Sequence, residues 1–319
     1  MRAPSNPIKM GPRKAAQKET RIMRVAITGS SGLIGTALRS QLEADGHEVV
    51  PVVRGAPDKP ESIWEPTSGW IRPGAFDGVD AVVHLAGESI GEGRWSTSRR
   101  KELLDSRVGP TRLLVSHLAA LPHPPALICA SAVGYYGDRG DEVLDEHSVR
   151  GSGFLADVTA AWEEAANAGR AAGLRTSILR FGVVLSRKGG ALPRMLLPFR
   201  LGVGGTLGRG RQWMSWVTLE DAVRAICHVL NGNGDGTFNV TAPQPVTNAE
   251  FTRTLARALH RPALFPVPPF ALRLLLGGSA DELLLASQRV VPSRLADSGF
   301  QFQYSDISSG IAAALKGRS

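Results

Sequence analysis

The chain has 319 residues, of which 43% are hydrophobic and 21% charged, a composition typical of globular proteins. Its net charge of +8 is concentrated in residues 1–22, which hold six basic side chains and one acidic one, so the rest of the chain lacks the basic excess of a nucleic-acid-binding protein. No apolar run is long enough to span a membrane. The two cysteines lie in apolar stretches, which predicts reduced thiols in a cytoplasmic protein.

The first 22 residues contain Pro4, Pro7 and Pro12 and show no apolar periodicity. We therefore predict a disordered basic head, because such a segment buries too little apolar surface to offset its ordering entropy. An expression leader, a start codon upstream of Met23 and an organellar presequence are the alternatives. The last of these lacks its usual amphipathic pattern.

From Met23 onward, short apolar runs alternate with amphipathic segments. Strands are predicted over 24–28, 48–53, 80–85, 126–130 and 175–180, and helices over 32–44, 98–121 and 154–172. This alternation predicts an α/β fold with a doubly wound parallel sheet of the Rossmann type.

The regular alternation of predicted strands and helices ends after about residue 186. We predict a Rossmann domain in residues 23–186 and a smaller, mostly helical, substrate-side domain in residues 187–319. A helix over 219–230 and its adjoining strand are expected to pack on the first domain.

A glycine-rich loop lies directly between the first strand and the first helix. Its members are Gly29, Ser30, Ser31, Gly32, Leu33, Ile34 and Gly35. Glycines at this spacing allow a tight turn and a close approach of the backbone to a pyrophosphate, whose charge the helix N-terminus attracts. The loop therefore predicts a dinucleotide site.

Arg54 follows the second strand, where NAD-specific folds place a carboxylate against the ribose hydroxyls. A guanidinium at that position attracts the 2′-phosphate and can bind it bidentately. We therefore predict NADP(H) as the cofactor, the alternative being that Arg54 is a solvated loop residue.

Longer motifs extend this interpretation over nearly the whole chain after Met23. They include GSSGLIG from Gly29, HLAGESI from His84, SAVGYYG from Ser131, RFGVVLS from Arg180 and the late run VVPSRLADSGF. In this order they resemble the atypical extended short-chain dehydrogenase/reductases of the NAD(P)-dependent epimerase/dehydratase superfamily, the group known as epimerase family proteins. Members of that group pair an NADP-binding domain with a small C-terminal domain.

The resemblance also implies roles for residues outside the glycine loop and Arg54. Its implied cofactor contacts are Leu85, Ala86 and Gly87 on the adenosine ribose, Glu102 and Arg107 on the following helix, and Val184 on the nicotinamide side. Glu102 and Arg107 have an alternative interpretation as an exposed helix face.

Active extended members of this superfamily use a Tyr-x-x-x-Lys pair on one helix, in which the lysine assists proton transfer by the tyrosine. The matching positions here fall on Phe154 or Leu155 and on Val158 or Thr159, and none of these pairs can move a proton. The usual relay is therefore predicted to be absent.

The substitute proton donors that we predict are Tyr135, Tyr136 and Ser131, with Ala132 as the other possible match to the helper serine. The two tyrosines follow the strand that bears Ser131. The alternative is an aromatic pair that packs with satisfied hydroxyls. His84 is predicted to be a core histidine.

Two classes of function remain open. One is an oxidoreductase or epimerase that acts on an unknown small substrate, for which a nucleotide-linked compound is one alternative. Four arginines could bind the diphosphate of such a compound, the other interpretation being that they are solvated charges: Arg194, Arg200, Arg209 and Arg211. The other is an NADP(H)-binding sensor or docking module without turnover. We expect a monomer or homodimer, and the histidines and cysteines show no spacing typical of a metal site.

Overall fold

The computed structural model describes residues 21–232 and 234–317. Most of the predicted disordered head therefore lies outside the described residues. The strands are β1 (Arg24–Thr28), β2 (Glu48–Val52), β3 (Trp64–Glu65), β4 (Trp70–Ile71), β5 (Ala81–His84), β6 (Ala126–Ala132), β7 (Val143–Leu144), β8 (Thr176–Phe181), β9 (Val183–Leu185), β10 (Trp213–Met214), β11 (Trp216–Thr218), β12 (Gly236–Val240), β13 (Val246–Thr247) and β14 (Arg289–Val290).

Helices connect and cover these strands. They are α1 (Leu33–Ala44), α2 (Thr97–Ala119), α3 (Phe154–Ala171), α4 (Ala191–Arg200), α5 (Leu219–Leu230), α6 (Asn248–Leu259), α7 (Pro269–Leu276), α8 (Ser293–Asp297) and α9 (Ile307–Lys316). A 3₁₀ turn spans Val133–Tyr136, and a single π-helical turn spans Asp281–Leu285.

A six-stranded sheet forms the centre of the molecule, in the order β12-β8-β6-β5-β1-β2. Every neighbouring pair in it is parallel. The carboxyl ends of the strands therefore meet at one edge, where ligands bind in open α/β sheets. The predicted fold class, a doubly wound parallel sheet of the Rossmann type, is confirmed.

Alternate strand residues supply the two cores on either face of the sheet, because side chains of a strand point to opposite sides. Val25 and Val83 pack in a cluster with Leu38 of α1 and Ile226 of α5. The intervening residues, among them Ala26 and Val82, pack in another cluster with Leu114 and Leu118 of α2.

The chain after residue 186 both completes this sheet and builds a core of its own. β12 is hydrogen-bonded to β8, and α5 packs against α1. A separate cluster joins Leu196 of α4, Phe251 of α6 and Ile311 of α9 around Trp216. The domain division at residue 186 stays a prediction.

None of the helices within residues 21–232 and 234–317 is both long and apolar enough to cross a membrane.

Candidate functional site

The glycine loop lies at the carboxyl edge of the sheet, between β1 and the start of α1. Gly29 has φ +67°, and a Cβ on it would lie 2.9 Å from the backbone nitrogen of Ala86. A Cβ on Gly35 would lie 2.2 Å from the carbonyl oxygen of Gly29. These contacts need glycine, since they bring the loop close to the segment after β5, and α1 close to the end of β1, with no room for side chains.

The N-terminus of α1 is open. Its N-cap, Gly32, has no side chain that could accept a hydrogen bond from the N–H groups of the first turn, and that turn contains no acidic residue. By contrast, the side chains of Ser96, Thr218, Thr247 and Asp306 cap α2, α5, α6 and α9. The uncapped N–H groups and the helix dipole of α1 suit an anion at this edge.

Several of the residues that the resemblance assigned to the cofactor come together around this loop. Leu85 and Ala86 both donate their N–H groups to Thr28 Oγ1, at 3.2 and 3.3 Å. A Cβ on Gly190 would lie 3.2 Å from Leu33 Cδ2 and 3.6 Å from the carbonyl oxygen of Val184. Val184 therefore lies beside the start of α1.

Arg54 lies two residues after β2, at the same edge of the sheet, and its side chain is exposed. A backbone bridge to Trp64 holds this segment in place. Hydrogen bonds from Thr67 lower the pKa of Glu65, and the nearby charge of Arg54 adds to this shift. Among the described residues the Arg54 guanidinium has no hydrogen bond or ion pair, so it can receive a phosphate.

His84 lies under the loop in a buried chain of hydrogen bonds. Its Nδ1 is 2.7 Å from Thr28 Oγ1, and its Nε2 is 3.0 Å from Thr111 Oγ1. Thr111 donates its hydroxyl hydrogen to the carbonyl oxygen of Arg107, so we assign the proton of neutral His84 to Nε2. Burial lowers the pKa of His84 to about 4, and the predicted core histidine is confirmed.

This burial makes a prediction for acid stability. His84 has a pKa of about 4 in the folded protein, compared with 6.5 for an accessible histidine. Between these two values the unfolded chain binds a proton that the folded protein does not, so the free energy of unfolding falls progressively as the pH falls from 6.5 through 4. The full loss amounts to about 3 kcal/mol. We expect a His84→Gln variant, measured by urea unfolding between neutral and acidic pH, to lose less of its free energy of unfolding with falling pH than the unmodified protein. A His123→Gln variant, changed at an exposed histidine, should keep the original slope; equal slopes in all three proteins would contradict the prediction.

The two helix residues that were assigned to the cofactor differ in their surroundings. Glu102 is exposed and forms an ion pair with Arg99 at 2.7 Å. Arg107 is buried, donates to the carbonyl oxygens of Glu88 and Leu103, and lies beside Gly87, whose Cβ position is 3.2 Å from its Cζ. Burial lowers the pKa of Arg107 to about 10. The surface ion pair favours the exposed-face interpretation of Glu102.

The positions of the usual proton relay hold apolar contacts. Leu155 packs with Trp95, and Val158 is buried. Thr159 is buried as well and donates its hydroxyl hydrogen to the carbonyl oxygen of Leu155 at 2.7 Å. The Glu282 carboxylate accepts the N–H groups of Phe154 and Leu155 at 3.1 and 2.7 Å, so a residue of the C-terminal region caps α3.

Ser131 belongs to a buried polar network rather than to the open site. Its hydroxyl donates to Glu163 Oε1 at 2.6 Å, and Glu163 forms a two-pronged ion pair with Arg180 at 2.7 Å. Burial opposes the charge of Arg180, but the hydrogen bonds and charge of Glu163 raise its pKa overall. The hydroxyl hydrogen of Ser131 is committed to Glu163, and this geometry does not support Ser131 as a donor to a substrate.

The two tyrosines have different environments. Tyr136 is fully buried, and its hydroxyl contacts Asn239 Oδ1 and Arg180 Nη1, each at 2.8 Å. Burial raises the pKa of Tyr136 to about 12, although Arg180 acts against this shift. Tyr135 is half-buried, lies 3.5 Å from Arg180 Cζ by its ring centroid, and has no hydroxyl partner among the described residues. The geometry therefore favours Tyr135 over Tyr136 as a reacting group.

The Arg180–Glu163 pair should be a large contributor to stability. An Arg180→Met variant leaves an unpaired carboxylate in the interior, which we expect to cost about 3–5 kcal/mol in the free energy of unfolding. Urea denaturation at neutral pH measures this cost. Lys101→Met, which breaks the exposed pair of Lys101 with Asp105, should cost less than about 1 kcal/mol. Similar losses in the free energy of unfolding for both variants would show that the buried pair stabilises the protein no more than the exposed pair does.

Sequence reasoning missed Glu163, Arg180 and Glu282. A signal for the first two existed, because Arg180 interrupts an otherwise uncharged buried strand and Glu163 lies on the buried face of α3. Nothing local indicated that Glu282 caps a helix 127 residues away. Of the arginines considered for a diphosphate, Arg194 forms an ion pair with Glu92 at 3.5 Å, whereas Arg200, Arg209 and Arg211 are exposed.

An open helix N-terminus above a glycine turn, at the carboxyl edge of a six-stranded parallel sheet, defines the class of Rossmann-fold proteins. Residues 25–241 match the family model described as the NAD dependent epimerase/dehydratase family. Residues 267–314 match a domain of unknown function, DUF1731. The chain belongs to the NAD dependent epimerase/dehydratase family.

Relatives and solved structures agree with this assignment. The chain is 47% identical to epimerase family protein Mb2239 of Mycobacterium bovis over 91% of this chain and 97% of that protein. The crystal structure of human epimerase family protein SDR39U1 with NADPH is 34% identical, with a TM-score of 0.81, over 92% of this chain and 99% of that chain. A nucleoside-diphosphate sugar epimerase from Corynebacterium glutamicum is 38% identical, with a TM-score of 0.77, over 92% of this chain and 58% of that chain.

Proposed function

We propose that this protein is an NADP(H)-dependent oxidoreductase that reduces a carbonyl group, or oxidises the matching alcohol, of a small substrate. The observation that carries the proposal is Tyr135, which lies just after β6 and is the one candidate donor whose hydroxyl has no partner among the described residues. Ser131 and Tyr136, by contrast, are bonded within the interior.

The residues at the glycine loop fit NADP(H). The N–H groups at the start of α1 would hold the pyrophosphate, and Arg54 would bind the 2′-phosphate. Val184 would lie near the nicotinamide, and Leu85 to Gly87 along the adenosine ribose. The NADPH bound to the human relative supports this cofactor. Bound NADPH would supply the hydride for a carbonyl carbon.

Tyr135 would supply the matching proton. As the carbonyl carbon gains a hydride, its oxygen becomes an alkoxide that takes the phenolic proton, and solvent then returns a proton to the phenolate. The Arg180 guanidinium lies against the ring of Tyr135, and its positive charge is attracted to the electron-rich face of that ring. The reverse reaction would use Tyr135 as the base.

An NADP(H)-binding sensor without turnover is the second candidate. The apolar contacts of Leu155 and Val158 at the relay positions favour it. An epimerase is the remaining candidate within the family, supported by the name of the relative from Corynebacterium glutamicum. The cytoplasmic location and the identity of the substrate stay predictions.

Three measurements separate these candidates. NADPH should bind in a fluorescence titration, and a panel of small carbonyl compounds should contain one that the protein reduces while NADPH absorbance falls. Nucleotide sugars should give no epimerised product. NADPH binding with no oxidation across a broad panel would favour the sensor, and efficient epimerisation of a nucleotide sugar would contradict the proposed role of Tyr135.

A further inference from the structure

The first turn of α3 lies next to the candidate proton donor. The carbonyl oxygen of Tyr135 accepts the N–H of Gly151, just before this helix, at 3.0 Å. A Cβ on Gly134 would lie 3.3 Å from Leu155 Cβ, which puts the start of α3 against the turn that bears Tyr135. Because that turn follows β6, the N-terminus of α3 lies at the same carboxyl edge of the sheet as the glycine loop.

The local sequence leaves this end of α3 without a cap of its own. Its N-cap is Gly153, which has no side chain and a φ of +111°, a backbone conformation that favours glycine. Free N–H groups at the start of a helix attract a negative charge. Asp157, the acidic residue of the first turn, is paired with Arg150, so these N–H groups remain available to another anion.

A carboxylate from the C-terminal region fills this position. Glu282 accepts the N–H groups of Phe154 and Leu155 at 3.1 and 2.7 Å. Its Oε2 lies 3.1 Å from the position of a Cβ on Gly153, so a side chain there would crowd it. Within residues 21–232 and 234–317 Glu282 forms no ion pair. Its negative charge is therefore stabilised by the N-terminus of α3 rather than by a cation.

The segment that carries Glu282 is held in place on the side that follows it. Leu283 packs against the apolar cluster that contains Trp95 and Leu103. Ser287 donates its N–H to Asp138 Oδ1 at 3.1 Å, which joins the segment to the loop after β6. The Glu282 carboxylate is thus fixed beside the start of α3, and a substrate that reaches this edge of the sheet meets its negative charge.

We propose that Glu282 is a specificity-determining residue that excludes anionic substrates, so that the compound reduced beside Tyr135 is an uncharged carbonyl compound. Without Glu282, the N–H groups of α3 would attract a phosphate or carboxylate group of a substrate. With Glu282 in place, such a group meets a like charge, which is a common means of rejecting a substrate of otherwise suitable shape. This inference rests on the proposed carbonyl reduction, because it names the class of substrate for that reaction.

Phosphate binding tests the role of Glu282 without any turnover. Inorganic phosphate is titrated by calorimetry into the full chain saturated with NADPH, so that the N-terminus of α1 is already filled. Glu282→Ala should bind phosphate at least about tenfold more tightly than the unmodified protein, because the change frees the N–H groups of Phe154 and Leu155. Glu282→Gln keeps an acceptor for these N–H groups and should bind phosphate less tightly than Glu282→Ala.

The matched control is Glu250→Ala, which removes one negative charge from the first turn of α6. Glu250 is exposed, and the Thr247 side chain caps that helix, so the phosphate affinity should stay that of the unmodified protein. A gain in affinity for Glu282→Ala no larger than that for Glu250→Ala would overturn the proposal. So would an unmodified protein that already binds phosphate as tightly as Glu282→Ala.

Substrate selectivity tests the same assignment through the reaction. Benzaldehyde and para-carboxybenzaldehyde share one reacting group and differ by a carboxylate. For NADPH oxidation by the unmodified protein, kcat/KM should be at least about tenfold higher with benzaldehyde, and Glu282→Gln should narrow this ratio. A helix cap with a structural role alone would change the melting temperature and leave the ratio as it is, which would overturn the proposal. Reduction of neither compound would count against the proposed activity, and the phosphate titration then decides the role of Glu282.

Discussion

Replacing Arg54 by aspartate should abolish or reverse the cofactor preference of this protein. We expect the unmodified protein to bind NADPH at least about tenfold more tightly than NADH, a difference of ~1.4 kcal/mol. The exposed guanidinium of Arg54 attracts the 2′-phosphate, whereas a carboxylate repels it and accepts the ribose hydroxyls of NADH. Isothermal titration calorimetry with both cofactors measures the ratio.

The same loop offers a matched control for the charge change. Lys59 is also exposed and lies five residues further along, so Lys59→Asp changes the net charge equally. We expect this variant to keep the preference for NADPH, because the effect depends on contact with the phosphate. Equal affinities for NADPH and NADH in the unmodified protein would remove the basis for the role of Arg54.

Replacing Tyr135 by phenylalanine should lower the turnover of any carbonyl substrate by about a hundredfold or more. The change removes only the phenolic oxygen, and the ring can still stack on Arg180. NADPH affinity should be unchanged, so the loss should be in kcat. The rate of NADPH oxidation with the substrate found by screening measures the effect.

Tyr136 provides the control for this experiment. Tyr136→Phe removes a hydroxyl that is bonded to Asn239 and Arg180, which should cost about 1–3 kcal/mol in the free energy of unfolding. Its turnover should stay close to that of the unmodified protein. If Tyr135→Phe keeps the full rate, the proton donor is elsewhere, and a large loss in Tyr136→Phe alone would reverse the roles given to the two phenols.

Five strands of the central sheet and the position of the glycine loop follow from local patterns in the sequence. Continuous apolar runs such as that of β1, each followed by an amphipathic helix, have few arrangements other than buried parallel strands. The glycine spacing from Gly29 to Gly35 is also local information, because the tight turn and the close contact of α1 with β1 are both made within a few residues. Strand and helix bounds consequently differ from the prediction by only a few residues.

Which of the candidate hydroxyl groups are free to react depends instead on contacts between elements that are distant in the sequence. Ser131, Tyr135 and Tyr136 lie within six residues, and no local pattern separates them. Their states depend on Glu163, Arg180 and Asn239, which come from a helix and two strands far apart in the sequence. A buried hydroxyl must find a hydrogen-bond partner, and which partner lies within reach is set by the packing of those elements rather than by neighbouring residues.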